Sequence, residues 1–336
     1  MVQDDRLYLS RRDLEPLLTM REVLDATEQA NGLYVSSKAG LNEASFSQMS
    51  AFHTKVPNSD IDYRAGAMDP VPTICSTLGF GYGDNPVKFG ISGLFALGVL
   101  ARLDNGLPVA VMEAEYLSNM RTGAAAVVAA KHLARPNPRA VAFIGTGNLA
   151  RHMFHAHVEQ FGGIEDARTW SRTPATRDRF AAEMQERFGI RVRVAADAGD
   201  AVRGADVVYC SSRAREPVVL DADVASGTHI SCSGADAPGK QEVESAVHAR
   251  ARVVVDSLDQ CRIGGDIHKA LAQGLFGEGH VHAELGEIVN GTKPGRQSDD
   301  EVTVMDATGL SAIDVMVFHQ AYERARERGV GTRLER

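Results

Sequence analysis

The sequence predicts an α/β protein: a doubly wound parallel-sheet domain joined to a smaller α+β domain. Three observations predict it. From about residue 140 onward, apolar runs of strand length alternate with helical stretches, the rhythm of a parallel sheet with right-handed crossovers. A glycine-rich turn, Gly145-Thr146-Gly147, joins the first of those runs to a helix. From Ser45 to Ala114 the pattern is short and strand-like, with an Asn-Gly turn between two apolar runs. At 336 residues the chain has room for about two domains. The expected division gives 1–120 with 307–336 to one domain and 121–306 to the other.

In chain order, the first element is a short strand, Leu7 to Leu9. Two helices follow, each opened by a capping box: Ser10 with Asp13, and Thr19 with Glu22. Leu94 to Leu103 and Leu107 to Glu113 flank Asp104-Asn105-Gly106 and read as a hairpin. A type I′ turn there needs positive φ at both central residues, which Asn-Gly supplies. This part therefore reads as a mostly antiparallel sheet with helices packed on it. Ser118 to Ala134 reads as an alanine-rich helix, stopped by Pro136 and Pro138.

The second half begins with the apolar run Val141 to Gly145 and a helix from Asn148 to Phe161. Ala167 to Trp170 is a short strand, and Thr173-Pro174 opens a helix with proline at its first position. Further strands are expected at Arg191 to Ala195, Ala205 to Cys210, His229 to Cys232, Val253 to Asp256 and Glu301 to Met305. The amphipathic helix Ser311 to Arg328 is expected to return to the first domain.

Composition excludes several classes. Hydrophobic residues make up 44% and charged residues 24%, the balance of an ordered globular chain. Net charge is −8 with no basic stripe, so neither nucleic acid nor an anionic membrane surface is an expected partner. No apolar run reaches the ~18 residues of a membrane span. Asp4 and Asp5 without an apolar stretch do not read as a secretory signal. Cys75, Cys210, Cys232 and Cys261 form no CxxC pair and read as buried thiols of a cytoplasmic protein. The pairs His155/His157 and His280/His282 lack a third ligand at suitable spacing, so no metal is expected.

Gly145-Thr146-Gly147-Asn148-Leu149-Ala150 is a G-x-G-x-x-A fingerprint placed between strand and helix, the context of a Rossmann dinucleotide site. Gly145 permits the turn, Gly147 lets the backbone approach a pyrophosphate, and Ala150 lets the helix lie close to the strand. The helix N-terminus then faces the phosphates. About 20 residues on, an NAD site presents an acid to the ribose. Here Trp170-Ser171-Arg172-Thr173 offers none. Two hydroxyls and a guanidinium suit a 2′-phosphate, so NADP(H) is the expected cofactor, with NAD(H) possible. Ser211 and Ser212 end a strand at the crevice; they read either as cofactor-lining groups or as polar loop residues.

Two further residues are candidates for the substrate. Arg121, expected near the start of its helix, opposes the dipole there. It reads either as a carboxylate receptor beside free N–H groups or as a salt bridge to the other domain. Asp236, in Ser233-Gly234-Ala235-Asp236-Ala237-Pro238-Gly239-Lys240, either serves an amine or proton or is a plain turn former.

Five motifs occur together and in order: Met120 to Ala125, the Gly145 loop, Gly234 to Lys240, Glu284 to Glu287, and Gly295 to Glu301. This set resembles the ornithine cyclodeaminase/mu-crystallin family over about Leu94 to Gly309. The resemblance implies a Rossmann domain inserted into a substrate-binding and dimerisation domain, and a homodimer. It also implies that Arg121 binds a substrate carboxylate and that Asp236 serves the reacting amine or imine. It further implies a lysine about eight residues before Asn85-Pro86, near Thr77, where this chain has none. Lys55 and Lys88, with His53 and Tyr82, are the nearest proton carriers, and Lys55 stands as the catalytic candidate.

The resulting expectation is an NADP(H)-dependent oxidoreductase interconverting a small α-imino or α-keto acid and an α-amino acid. One alternative is an ammonia-lyase with recycled bound NAD, which would release ammonia without net reduction of the cofactor. The other is a non-catalytic, mu-crystallin-like NADP(H)-binding protein, which would bind the cofactor and oxidise or reduce nothing.

Overall fold

The computed structural model describes residues 6–37 and 46–334, with backbone alone for 46–53. Contacts within the chain separate it into two units. Unit 1 comprises residues up to Arg121 together with those from Leu310 onward; unit 2 is Thr122–Gly309.

Unit 1 holds strands β1 (Leu7–Leu9), β2 (Phe46–His53), β3 (Ser59–Ala67), β4 (Thr73–Tyr82), β5 (Leu94–Arg102) and β6 (Pro108–Glu113). They form one sheet in the order β1-β6-β5-β4-β3-β2, with Thr332–Arg333 beyond β1. All its pairs are antiparallel except β1 with β6. Both capping boxes form; Thr19 Oγ1 accepts from Glu22 N, and Glu22 Oε2 accepts from Thr19 N at 2.8 Å.

Side chains alternate across this sheet as strand geometry requires. Cys75, Thr77, Gly79, Ala96, Gly98 and Leu100 face the buried side. The Ser311–Arg328 helix belongs to the same unit, and a Cβ on Gly98 would lie 2.5 Å from the Phe318 ring, so only glycine lets the helix come this close. The opposite face carries Phe95, Leu97 and Val99 beside Phe80, Leu78 and Ser76. Leu97 is 46% exposed, Phe95 43% and Tyr63 46%.

The Asn105-Gly106 hairpin forms with a different turn. Only Gly106 takes positive φ, at 72°. Asn105 instead accepts the Leu107 N–H on its side-chain oxygen at 3.0 Å, while Gly106 N donates to Arg102 O at 2.9 Å. The side chain thus supplies a local bond that makes a second left-handed residue unnecessary.

Unit 2 contains β7 (Ala140–Ile144), β8 (Asp166–Trp170), β9 (Val192–Val194), β10 (Val207–Cys210), β11 (His229–Cys232), β12 (Arg252–Val255), β13 (Val281–Glu284) and β14 (Thr303–Asp306). The sheet runs β13-β12-β14-β11-β10-β7-β8-β9, and every pair is parallel. Strand order reverses between β10 and β7, the switch point at which an open α/β sheet forms its ligand crevice. Strand β13 was not expected from the sequence; it is an edge strand with only one fully buried side chain, Ala283.

Alternation along β7 shows why helices cover both faces. Ala142 and Ile144 join a core with Val202 and Val247 on one side. Phe143 points the other way and packs 5.1 Å from Phe154 and 5.9 Å from Phe180. These rings belong to helices Asn148–Phe161 and Pro174–Phe188. All four cysteines are buried thiols. Among the described residues, no helix is long and apolar enough to cross a membrane.

Candidate functional site

In unit 2, the Gly145 loop leaves the carboxyl end of β7 and enters the Asn148–Phe161 helix. Gly145 has φ +118°, and a Cβ there would lie 2.6 Å from Ser211 Oγ. Gly147 differs: a Cβ would meet nothing within 4 Å. Its missing side chain leaves open space in front of the helix. That helix has no side-chain cap and no acid in its first turn, where Asn148 and Leu149 lie. Its N–H groups and dipole therefore favour an anion. Ser211 Oγ, beside Gly145, is buried without a hydrogen-bond partner among the described residues. An orphaned hydroxyl of this kind calls for a ligand or water. The residues fit a dinucleotide pyrophosphate.

The carboxyl end of β8 forms the next corner. Thr146 Oγ1 lies 3.0 Å from Ser171 Oγ and 2.9 Å from Thr176 Oγ1, so the Ser171 hydroxyl ties this corner to the glycine loop. Thr173 caps the Pro174–Phe188 helix and is exposed. Arg172 is exposed, and no described residue binds it. Arg177, one turn into the helix, donates its Nε–H to Ser171 O and lies over the Trp170 ring at 5.1 Å.

The loop after β11 carries Asp236. Its carboxylate accepts from Lys240 Nζ at 2.5 Å; the lysine side chain is buried, whereas Asp236 remains one-third exposed. Beneath the loops lies Glu242. One carboxyl oxygen accepts from Ser212 N at 2.5 Å and the other from Gly234 N at 2.7 Å, so a single side chain fixes the turns after β10 and β11. Burial, and then the neighbouring Asp266 carboxyl, push Glu242 up to about 8, against the pull of the Ser212 hydroxyl and those two N–H groups.

In unit 1, the helix carrying Arg121 starts at Glu115, not near Ser118. Glu113 Oε1 accepts the Glu115 N–H at 3.1 Å and so begins the helix earlier. Arg121 accordingly sits in the second turn, away from any free N–H group. Its Nε donates to Asp314 Oδ1 at 2.8 Å, and Arg121 is 3% exposed. The ion pair lies within unit 1. Burial lowers the Arg121 pKa, Asp314 raises it, and Arg64 lowers it further. Arg64 is itself buried, with Nε 3.1 Å from Asp62 Oδ1. Directly across from Arg64, on β4, stands Thr77.

Lys55 is not brought to this cluster. It is exposed in the turn between β2 and β3, five residues along β3 from Arg64 plus the turn, or about 17 Å of extended chain at least. Lys88 is exposed and bound to Asp84 at 2.8 Å. The His53 side chain lies outside the described residues.

A model of the ornithine cyclodeaminase/mu-crystallin family matches residues 19–329. The chain belongs to this family. Alanine dehydrogenase from Archaeoglobus fulgidus is 35% identical over 338 residues, covering 98% of each chain. The solved structure of an archaeal alanine dehydrogenase dimer with bound NAD matches with a TM-score of 0.88 at 34% identity, over 98% of this chain and 99% of that one. The structure of Thermococcus litoralis Delta(1)-pyrroline-2-carboxylate reductase, in complex with NADH and L-proline, gives a TM-score of 0.92 at 33% identity, over 98% of this chain and 100% of that one.

Within this family frame, sequence reasoning missed Arg64, Asp314, Arg177, Lys240 and Glu242. Arg64 and Asp314 are isolated in sequence, and only register and helix packing bring them near Arg121. Lys240 and Glu242 had a signal, because they close or follow the Gly234 motif.

Proposed function

We propose that this family member is an NADP(H)-dependent oxidoreductase interconverting a small α-imino acid, or an α-keto acid plus amine, with an α-amino acid. The observation that carries the reading is the open space before Gly147 at an uncapped helix N-terminus, with the buried Ser211 hydroxyl beside Gly145 left without a hydrogen-bond partner among the described residues. The names of the relatives support it: an amino-acid dehydrogenase and a cyclic imine reductase, both solved with nicotinamide cofactors. Those two carry NAD and NADH. The preference for NADP(H) rests on this chain's own corner after β8, where Ser171-Arg172-Thr173 has no acid and Arg172 has no partner among the described residues.

When bound, the dinucleotide supplies or takes up the hydride at the substrate α-carbon. Gly145, Thr146, Gly147, Asn148 and Leu149 hold its pyrophosphate; Ser171, Arg172 and Thr173 hold the adenosine ribose; Ser211 and Ser212 line its path. Arg121, with Arg64 as a second buried guanidinium, holds the substrate carboxylate by charge-assisted bonds. Asp236 accepts a hydrogen bond from the substrate nitrogen, and Lys240, 2.5 Å from its Oδ1, orients that carboxylate. Lys55 has no role in this scheme.

A homodimer is part of the proposal. The outer face of the unit 1 sheet, with Tyr63, Leu78, Phe80, Phe95, Leu97 and Val99, is a contiguous apolar surface that a second copy would cover. The dimeric alanine dehydrogenase structure supports it.

The test offers pyruvate, glyoxylate, oxaloacetate and cyclic ketimines, with ammonia or small amines, and follows NADPH consumption. Turnover with at least one pair is expected. Ammonia release from a diamino acid without net change in the cofactor would replace this reading with a lyase.

A further inference from the structure

We infer that Arg177 is a second specificity-determining residue, which works with Arg172 to grip the ribose 2′-phosphate and uses the Trp170 ring as its platform. The inference rests on the dinucleotide reading above and deepens it.

Arg177 is held at two points. Its guanidinium carbon lies 5.1 Å from the Trp170 ring centroid, within cation–π range. Its Nε–H donates to the carbonyl of Ser171. Together these contacts commit one face and one of the five N–H donors of the guanidinium. The four donors on Nη1 and Nη2 have no partner among the described residues. A planar fork with its stem fixed and its outer edge uncommitted is preorganised for a phosphate.

The backbone beneath it is fixed as well. Thr176 Oγ1 bonds to Thr173 O at 2.8 Å and to Thr146 Oγ1 at 2.9 Å, which couples the first turn of this helix to the glycine loop. Stability alone does not account for the arginine. A cation near the start of a helix opposes the dipole, and the Pro174–Phe188 helix has no acid in its first turn to offset it. Arg172 and Arg177 thus place two cations around Ser171 with no ionic partner among the described residues, in a chain of net charge −8. An anion with two or more ionisable oxygens, attached to an adenosine ribose, matches that charge.

Trp170 is the only tryptophan in the chain, so intrinsic fluorescence reports on this corner. The experiment titrates 2′,5′-ADP and 5′-AMP into the full-length protein and follows tryptophan fluorescence, with calorimetry as the second measurement. NADPH and NADH are titrated in parallel. For the wild type, 2′,5′-ADP should bind at least about tenfold tighter than 5′-AMP and perturb Trp170 emission. Arg177→Ala should weaken 2′,5′-ADP about 10- to 100-fold and leave 5′-AMP within about threefold. Arg177→Lys, which keeps the charge and loses the fork, should recover part of the loss. Equal weakening of both probes would mean that Arg177 only packs on Trp170, and would overturn the inference while leaving dinucleotide binding intact. So would an unchanged preference in Arg177→Ala. Failure of the wild type to bind either NADPH or NADH would overturn both the inference and the reading beneath it.

Discussion

Arg121 donates its Nε–H to Asp314 at 2.8 Å, and both side chains are buried, so the guanidinium proposed to receive the substrate is oriented from behind by a carboxylate. Asp314→Asn keeps the shape and removes the charge. Asp62 is then a neighbouring acid for Arg121 and the nearby Arg64. A loss of about 3 to 5 kcal/mol in stability is expected, because an uncompensated buried charge costs that much. Denaturant unfolding checks it; a loss below about 1 kcal/mol would contradict the burial argument.

Gly145 and Gly147 make opposite predictions although they are two residues apart. Gly145→Ala puts a Cβ at φ +118° and 2.6 Å from Ser211 Oγ, and should cost about 1 to 3 kcal/mol of stability. Gly147→Ala adds a methyl group to open space. Its stability should change by no more than about 0.5 kcal/mol, while dinucleotide affinity falls at least about tenfold because the methyl occupies the phosphate position. Melting curves with and without cofactor separate the two effects.

Buried titratable groups give the fold a pH dependence of both signs. Glu242 rises from 4.5 to about 8, so its contribution is complete below about pH 4.5 and is lost as pH climbs through 8. Relative to Glu242→Gln, the wild type should lose stability between about pH 5 and pH 8. His157 behaves in the reverse sense: burial lowers it from 6.5 to about 3, so its contribution holds above pH 6.5 and fades as pH falls toward 3. Replacement of His157 by Leu should flatten that acid limb. Unfolding free energies across a pH series read both slopes, and parallel curves for wild type and variants would refute the assignments.

The exposed apolar face of the unit 1 sheet predicts the consequence of a charge at its centre. Leu97→Glu should shift the protein from dimer to monomer in size-exclusion chromatography with light scattering, with the unit 2 fold unaffected. A wild-type monomer at micromolar concentration would remove the dimer from the account.

Local chemistry made much of unit 2 legible from the sequence. The helix Asn148–Phe161 and the strand His229–Cys232 have the boundaries the pattern implies, because glycines bound both: Gly147 and Gly162 the helix, Gly227 and Gly234 the strand. The start of the Arg121 helix was misplaced because Glu113 reaches forward to cap it, a side-chain contact that periodicity does not encode. Strand β13 was missed because an edge strand with one buried residue has no alternation to read. In the candidate site, the glycine loop and the Ser171-Arg172-Thr173 corner were visible as contiguous motifs. Arg64 and Asp314 were not, since sheet register and helix packing, rather than spacing along the chain, bring them to Arg121. Only nearness in sequence points to Lys55, and the β2–β3 turn carries it away from that cluster.

The most direct measurement is a calorimetric titration of the purified protein with NADPH and with NADH. One dinucleotide should bind per chain, with NADPH the tighter of the two. No detectable binding of either cofactor would contradict it.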